Sequence, residues 1–289
     1  MKPPPFRYAA PSTVTEAVGL LAEQADAEPR VLAGGQSLIP LMNFRLAEPS
    51  HLVDLRNVAG LTGIRLDGDG LVIGAMTRQS HVEHAPEVAI GAPLLAEAIG
   101  FVGHTPIRNS GTIGGSLAHA DPAAELPAVA LALDAELVAA GPGGTRTIAA
   151  ADFLRGPFST ALATDEILTE IRLPRRAGGH AFVEFTRTHG TFAVVAVAAL
   201  VEVDGDRIAR VALAVTGIAP TAIRATAAED VLTGAVPDDA LIAAAADAAV
   251  AGARPAGDLH ASAQTRIELA RSQVRRAVAL ALHRAQDQR

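Results

Sequence analysis

Apolar residues in this chain follow two spacings that never settle into a regular alternation, and this limits the folds open to it. The run "FAVVAVAALV" at 192–201 has the length and β-branched content of a buried strand. The following "VEVDGDRIARVALAVTG" sets Asp204-Gly205 between two apolar runs, a hairpin signal, and "GIRLDGDGLVIGAMT" repeats it with its own Asp-Gly turn. "RVLAGG" reads as a buried strand entering a turn, and Val53 and Leu55 suggest another strand. "AELVAAG", "RTIAAADFL" and "EILTEIRLP" form a strand-rich series closing at Pro174. Helical spacing appears elsewhere. Thr13 and Glu16 have capping-box form before Val14, Val18 and Leu21, and "PLLAEAIGFVG" predicts a helix ending near Gly103. "PDDALIAAAADAAVAGA" predicts a further helix, and Ile267, Ala270, Val274, Val278 and Leu282 define a last one. Strands and helices mixed in this way, with no internal repeat, predict an α+β fold. "RRAGGH" at 175–180 is the best linker candidate.

The 289 residues are 49% hydrophobic and 19% charged, an ordinary globular balance for about two domains. The formal charge of −7 argues against a nucleic-acid partner, which needs clustered cations. No apolar run approaches the ~20 residues of a membrane span. "MKPPPFRYAA" lacks the apolar core of a signal peptide, so the expected location is cytoplasmic. With no cysteine, the chain holds no disulfide, no cysteine nucleophile and no cysteine-ligated iron–sulfur cluster.

Two loops share a grammar, "AGGQS" at 33–37 and "TIGGS" at 112–116. Each sets Gly-Gly beside hydroxyl side chains. Glycine lets a ligand approach the backbone, and successive amides can converge on an anion. Two such nests would suit a diphosphate; each pair could equally be a tight turn. Neither loop fits G-x-x-x-x-G-K-[ST], nor the spaced G-x-G-x-x-G of a dinucleotide-binding βαβ unit.

The segments "AGGQSLIPLMNFRLAEPSHLVDLRNV", "IRNSGTIGGSLAHADPAAELPAVALALDAEL" and "EILTEIRLP" resemble the FAD-binding medium subunit of molybdenum hydroxylases. That family includes the carbon monoxide dehydrogenase flavoprotein and the xanthine dehydrogenase FAD domain. The resemblance runs over almost the whole chain, through "GIAPTAIRATAAEDVLTGA" and "HASAQTRIELARSQVRRAVALAL". It implies a two-lobed FAD-binding domain of the PCMH (vanillyl-alcohol-oxidase-like) type over 1–175, with lobes at approximately 1–55 and 56–175. A C-terminal α+β domain like that of the CO dehydrogenase flavoprotein would span 178–289.

It further implies that FAD, bound non-covalently, rests its diphosphate between the two loops. Ala33, Gly34, Gly35, Gln36 and Ser37, flanked by Leu32 and Leu38, would form one; Thr112, Ile113, Gly114, Gly115 and Ser116 the other. Glu125 aligns with a carboxylate that takes FAD hydroxyls, a role suited to an acceptor. Asp121 is a second candidate, or a turn-former before Pro122. Leu168 would lie near adenine and Phe182 near the isoalloxazine ring. The implied partners are a molybdopterin-binding large subunit and a [2Fe-2S] small subunit, with electrons passing through FAD to NAD, a quinone or oxygen. The alternative is a stand-alone FAD-dependent oxidase or dehydrogenase acting directly on a small molecule.

Other polar residues carry weaker signals. His81 and His84 share a helical face, but no third ligand lies nearby and exposed helix histidines are the simpler reading. His104 and His119 flank the second loop as polar neighbours rather than flavin attachment points. Arg108 could neutralise phosphate, or be structural. The chain departs from the family's pattern at Thr191, where an aspartate is common, and at Thr265-Arg266, where a Tyr-Arg pair is common. Lys2 is the only lysine, so Thr186 and Arg187 stand where some relatives place one near the flavin.

Overall fold

The computed structural model describes residues 2–68 and 70–287. The N-terminal part holds a three-stranded parallel sheet, β1 (Arg7–Ala9), β2 (Arg30–Leu32) and β3 (His51–Asp54), with β3 central. Helices α1 (Val14–Glu23) and α2 (Leu38–Asn43) connect the strands. Thr13 caps α1 by accepting from the Glu16 amide at 3.1 Å, while Glu16 reaches the Ser12 amide at 2.8 Å. The expected box therefore closes one residue early.

A five-stranded antiparallel sheet follows, in the order β4-β5-β10-β6-β7. Its first hairpin is β4 (Ile64–Asp67) and β5 (Gly70–Gly74); Asp69, in the expected turn, lies outside the described residues. Six short helices come next: α3 (Gln79–His84), α4 (Pro86–Gly91), α5 (Pro93–Ile99), α6 (Thr105–Ser110), α7 (Ile113–His119) and α8 (Glu125–Ala132). Prolines at the first or second position of α4, α5 and α6 divide this stretch. Helix α5 stops at Ile99 with Gly100 as cap, not at Gly103. Gly103, at φ 53°, instead turns the chain into α6. The sheet is completed by β6 (Glu136–Gly141), β7 (Gly144–Ala149) and β10 (Ile167–Pro174), after the one-turn α9 (Ala150–Phe153) and the small hairpin β8 (Leu154–Gly156) and β9 (Ser159–Thr160).

The C-terminal part is a four-stranded antiparallel sheet: β11 (Gly179–Phe185), β12 (Val195–Asp204), β13 (Arg207–Thr216) and β14 (Ile223–Arg224). The Asp204-Gly205 hairpin forms as expected. Ala181, Val183, Val197 and Ala199 face α10 (Thr226–Leu232), α11 (Asp239–Val250) and α12 (Ala263–Asp287). Ala270, Val274, Val278 and Leu282 bury the expected stripe of α12.

The opposite sheet face, with Phe182, Ala196, Ala198 and Ala214, belongs to the same core as α5 and α8. Every residue of α8 is buried, because it lies against β12, β13 and β14 and is flanked by α5, α7 and α9. Small alanines on the C-terminal sheet let the helix approach closely. Just beyond α8, Asp134 accepts from Arg176 and Arg210 at 2.8 Å and Arg224 at 2.6 Å, tying this joint together.

Candidate functional site

The two glycine loops meet. A Cβ on Gly34 would collide with the Ser110 carbonyl oxygen, and one on Gly115 would stand 3.1 Å from the Ala33 Cβ. Gly35 adopts φ 72°, where an L side chain is strained. Glycine is therefore needed for close approach at Gly34 and Gly115, and for conformation at Gly35. The second loop is held by the segment at 75–79. Gly114 N donates to Ala75 O at 2.9 Å, Ile113 N to Thr77 O at 3.1 Å, and Gln79 N to Gly111 O at 2.9 Å. Arg78 and Thr112 form an antiparallel bridge. Thr112 caps α7 by accepting from the Gly115 amide at 3.0 Å.

This arrangement corrects the expectation of two equivalent nests. The amides of Ile113, Gly114, Gly115 and Ser116 already have protein acceptors. Those of Gly34, Gly35, Gln36, Ser37 and Leu38 donate to no acceptor among the described residues, and these five residues are half-buried. The first loop thus carries the donors for an anion, while the second contributes close approach and the half-buried Ser116 hydroxyl.

Several expected residues sit behind this surface. Leu32 and Leu38 pack with Met42 and Leu52. Ile113 and Leu168 are buried in the main core. Phe182 does not face a cleft: it is 1% exposed and its ring packs at a tilt against Phe101, 5.3 Å between centroids. Asp121 acts as a turn-former, its Oδ1 accepting from the Ala123 amide at 2.9 Å. Arg108 is structural, gripped by Glu83 through two 2.8 Å bonds and donating to the Val102 and Gly103 carbonyls. His81 and His84 are exposed, and no group of three or more metal-ligating side chains occurs among the described residues.

Glu125, the first residue of α8, is 3% exposed. Burial pushes its carboxyl up to about 8, and the charges of Glu184 and Asp121 add to this. The expectation of a ready carboxylate is thereby amended: without a ligand, burial disfavours the charged form of Glu125, and donors brought to it would favour ionisation. Sequence reasoning passed over Glu184 of β11, whose carboxyl burial raises to about 7 and whose Oε2 is buried without a hydrogen-bond partner. Burial lowers the His119 imidazole below its ordinary value, against the opposing charge of Asp121.

Also missed was the reach of the loop between β11 and β12. Gly190 packs so closely on the His104 ring that a Cβ would collide with it, and His189 meets that ring edge-on at 5.8 Å. The loop leaves Phe185 and Phe192 exposed. Thr191 closes it by donating to the Thr188 carbonyl at 2.7 Å. Arg266 braces the domain from behind, bonding Val194 O and Asp258 at 2.6 Å.

Known proteins match this architecture. Residues 4–176 match the FAD binding domain in molybdopterin dehydrogenase, and residues 180–281 the CO dehydrogenase flavoprotein C-terminal domain. The 6-hydroxypseudooxynicotine dehydrogenase complex subunit alpha of Paenarthrobacter nicotinovorans is 43% identical, covering 99% of this chain and 97% of its own. A chain of carbon monoxide dehydrogenase from Hydrogenophaga pseudoflava superposes with a TM-score of 0.97 at 40% identity, over 99% of this chain and 100% of that one. One from quinoline 2-oxidoreductase of Pseudomonas putida 86 gives 0.93 at 38% identity, over 99% of both.

Proposed function

Since the chain belongs to the family of FAD-binding subunits of molybdenum hydroxylases, we propose that it conducts electrons from a partner's [2Fe-2S] clusters through FAD to an external acceptor. NAD, a quinone or oxygen would serve as that acceptor. The observation that carries this reading is the meeting of the two glycine loops, with five amides of the first loop free to donate. That cradle fits a diphosphate: backbone donors on one side, a hydroxyl at Ser116 on the other, and no carboxylate within either loop. Bound FAD would supply the conversion between one-electron and two-electron transfer. The chain's residues would hold and orient it. Glu125 would accept from its hydroxyl groups, and the loop carrying His189 and Phe192 would shield it from the C-terminal side.

The relatives are named as subunits of dehydrogenase and hydroxylase assemblies, which supports placing the substrate's oxidation at molybdenum on a large partner subunit. The absence of cysteine fits, since this chain cannot ligate the clusters itself. Gentle purification from the native host, followed by an absorbance spectrum and metal analysis, tests the proposal. Flavin co-purifying with molybdenum and iron on two further chains is expected. A yellow chain isolated alone and free of metal, oxidising a small molecule directly, would replace this reading with the stand-alone enzyme.

A further inference from the structure

A diphosphate brings negative charge that neutral amides only partly offset. The cation suggested by the sequence, Arg108, is already committed to Glu83. Arg78 is placed differently. Its backbone bridges Thr112 at the start of the second loop, and its guanidinium donates to the carbonyl of Ser110. That same carbonyl oxygen is the atom Gly34 of the first loop packs against. The guanidinium is thus fixed where the two loops touch. It is half-buried, and no carboxylate lies within ion-pair distance of it among the described residues, whereas Arg108, Arg146, Arg224, Arg266 and Arg284 each have one. Of about five N–H donors on a guanidinium, the Ser110 bond uses one.

We infer that Arg78 is a binding residue for the diphosphate of FAD, pairing its charge with the phosphate oxygens that the first loop's amides approach. This rests on the flavin-site reading above and adds to it the cation that reading lacks. Arginine suits the task because its planar fork stays charged and can address two phosphate oxygens together. Its tether to Ser110 holds the fork in place, so little freedom remains to be lost on binding. The neighbouring residues sharpen the assignment. The Thr77 hydroxyl is occupied with Gly63 at 3.1 Å, and Gln79, whose backbone N–H donates to the Gly111 carbonyl, has a neutral side chain, so within this segment Arg78 alone offers a charged donor.

The test uses the full chain freed of flavin, titrated with FAD by quenching of flavin fluorescence and with ADP as competitor, across a range of salt. Arg78→Gln should weaken both FAD and ADP by about tenfold or more and flatten the salt dependence, since one phosphate contact is gone. Arg78→Lys, which keeps the charge but not the fork, should recover part of the affinity and the full salt slope. The inference is overturned if Arg78→Gln binds FAD within twofold of the parent. It is equally overturned if both variants lose affinity alike with an unchanged salt slope, which would make the side chain only a brace for Ser110. Failure of the parent chain itself to bind FAD, or of ADP to compete, would instead remove the flavin-site reading on which this one stands.

Discussion

At the scale of single residues, charge and close approach decide what the site does. Glu125 is the sharper case, because burial lifts its carboxyl from 4.5 to about 8. Below pH 4.5 it is protonated both folded and unfolded, and the fold keeps its full stability. As pH rises toward 8 the unfolded chain ionises freely while the buried group resists, so stability is lost across that window. Glu125→Gln should therefore raise the melting temperature of the flavin-free chain at pH 8, by the equivalent of a few kcal/mol, and leave it unchanged near pH 4.5. The same variant should weaken FAD binding several-fold, since hydroxyl donors on the ligand favour the ionised carboxylate and an amide is a poorer acceptor than that form. Higher stability with undiminished affinity would show Glu125 to be a buried acid with no part in binding. The glycines allow a steric test. Gly115→Asp would place its Cβ 2.6 Å from Thr112 Oγ1 and a carboxylate beside the loops. The folded variant should purify without flavin, and normal flavin content would refute the second loop's role. The glycines themselves were legible in the sequence. What the sequence hid was that the amides of Ile113 and Gly114 bond to Thr77 and Ala75, a long-range pairing that no local pattern encodes.

At the scale of elements, legibility followed periodicity. The β12–β13 hairpin and the buried stripe of α12 were plain because ten-residue apolar runs and a helical repeat each specify one face. Helices α3 to α7 run from six to seven residues each, too short for a period to establish itself, so α6 and the true end of α5 could not be read. Close packing between elements was equally hidden. Gly179 opens β11 directly beneath α12, where a Cβ would collide with the Ala281 carbonyl and the Ala285 amide. Gly179→Val should push the helix off the sheet and cost about 3 kcal/mol or more, seen as a lower melting temperature. Because the C-terminal sheet also supports α8, flavin retention should fall with it. A variant as stable as the parent would mean that α12 can shift without cost.

At the scale of the whole molecule, the central fact is that one core includes residues from both family-matched regions. In "ELPAVALA" no apolar face stands out, so the helix α8 and the sheet and helices that cover it could not be inferred, since full burial erases the face that periodicity would reveal. The ion pairs around Asp134 mark the edge of this joint, with Arg176 from the connection before β11 and Arg210 and Arg224 from the C-terminal sheet. The group is partly exposed, Asp134 by 37%, so each pair contributes modestly. Its influence is on geometry more than on net stability, because three guanidiniums converge on one acceptor and fix how the second sheet sits on α8. Asp134→Ala should therefore lower the melting temperature by only a few degrees while exposing the connection at 175–178 to proteolysis. FAD should slow that cleavage, since a ligand held by both the glycine loops and the β11–β12 loop favours the docked arrangement. Protection equal with and without FAD would mean that the C-terminal sheet takes no part in holding the cofactor, and the flavin would then have to be assigned to the first 176 residues alone.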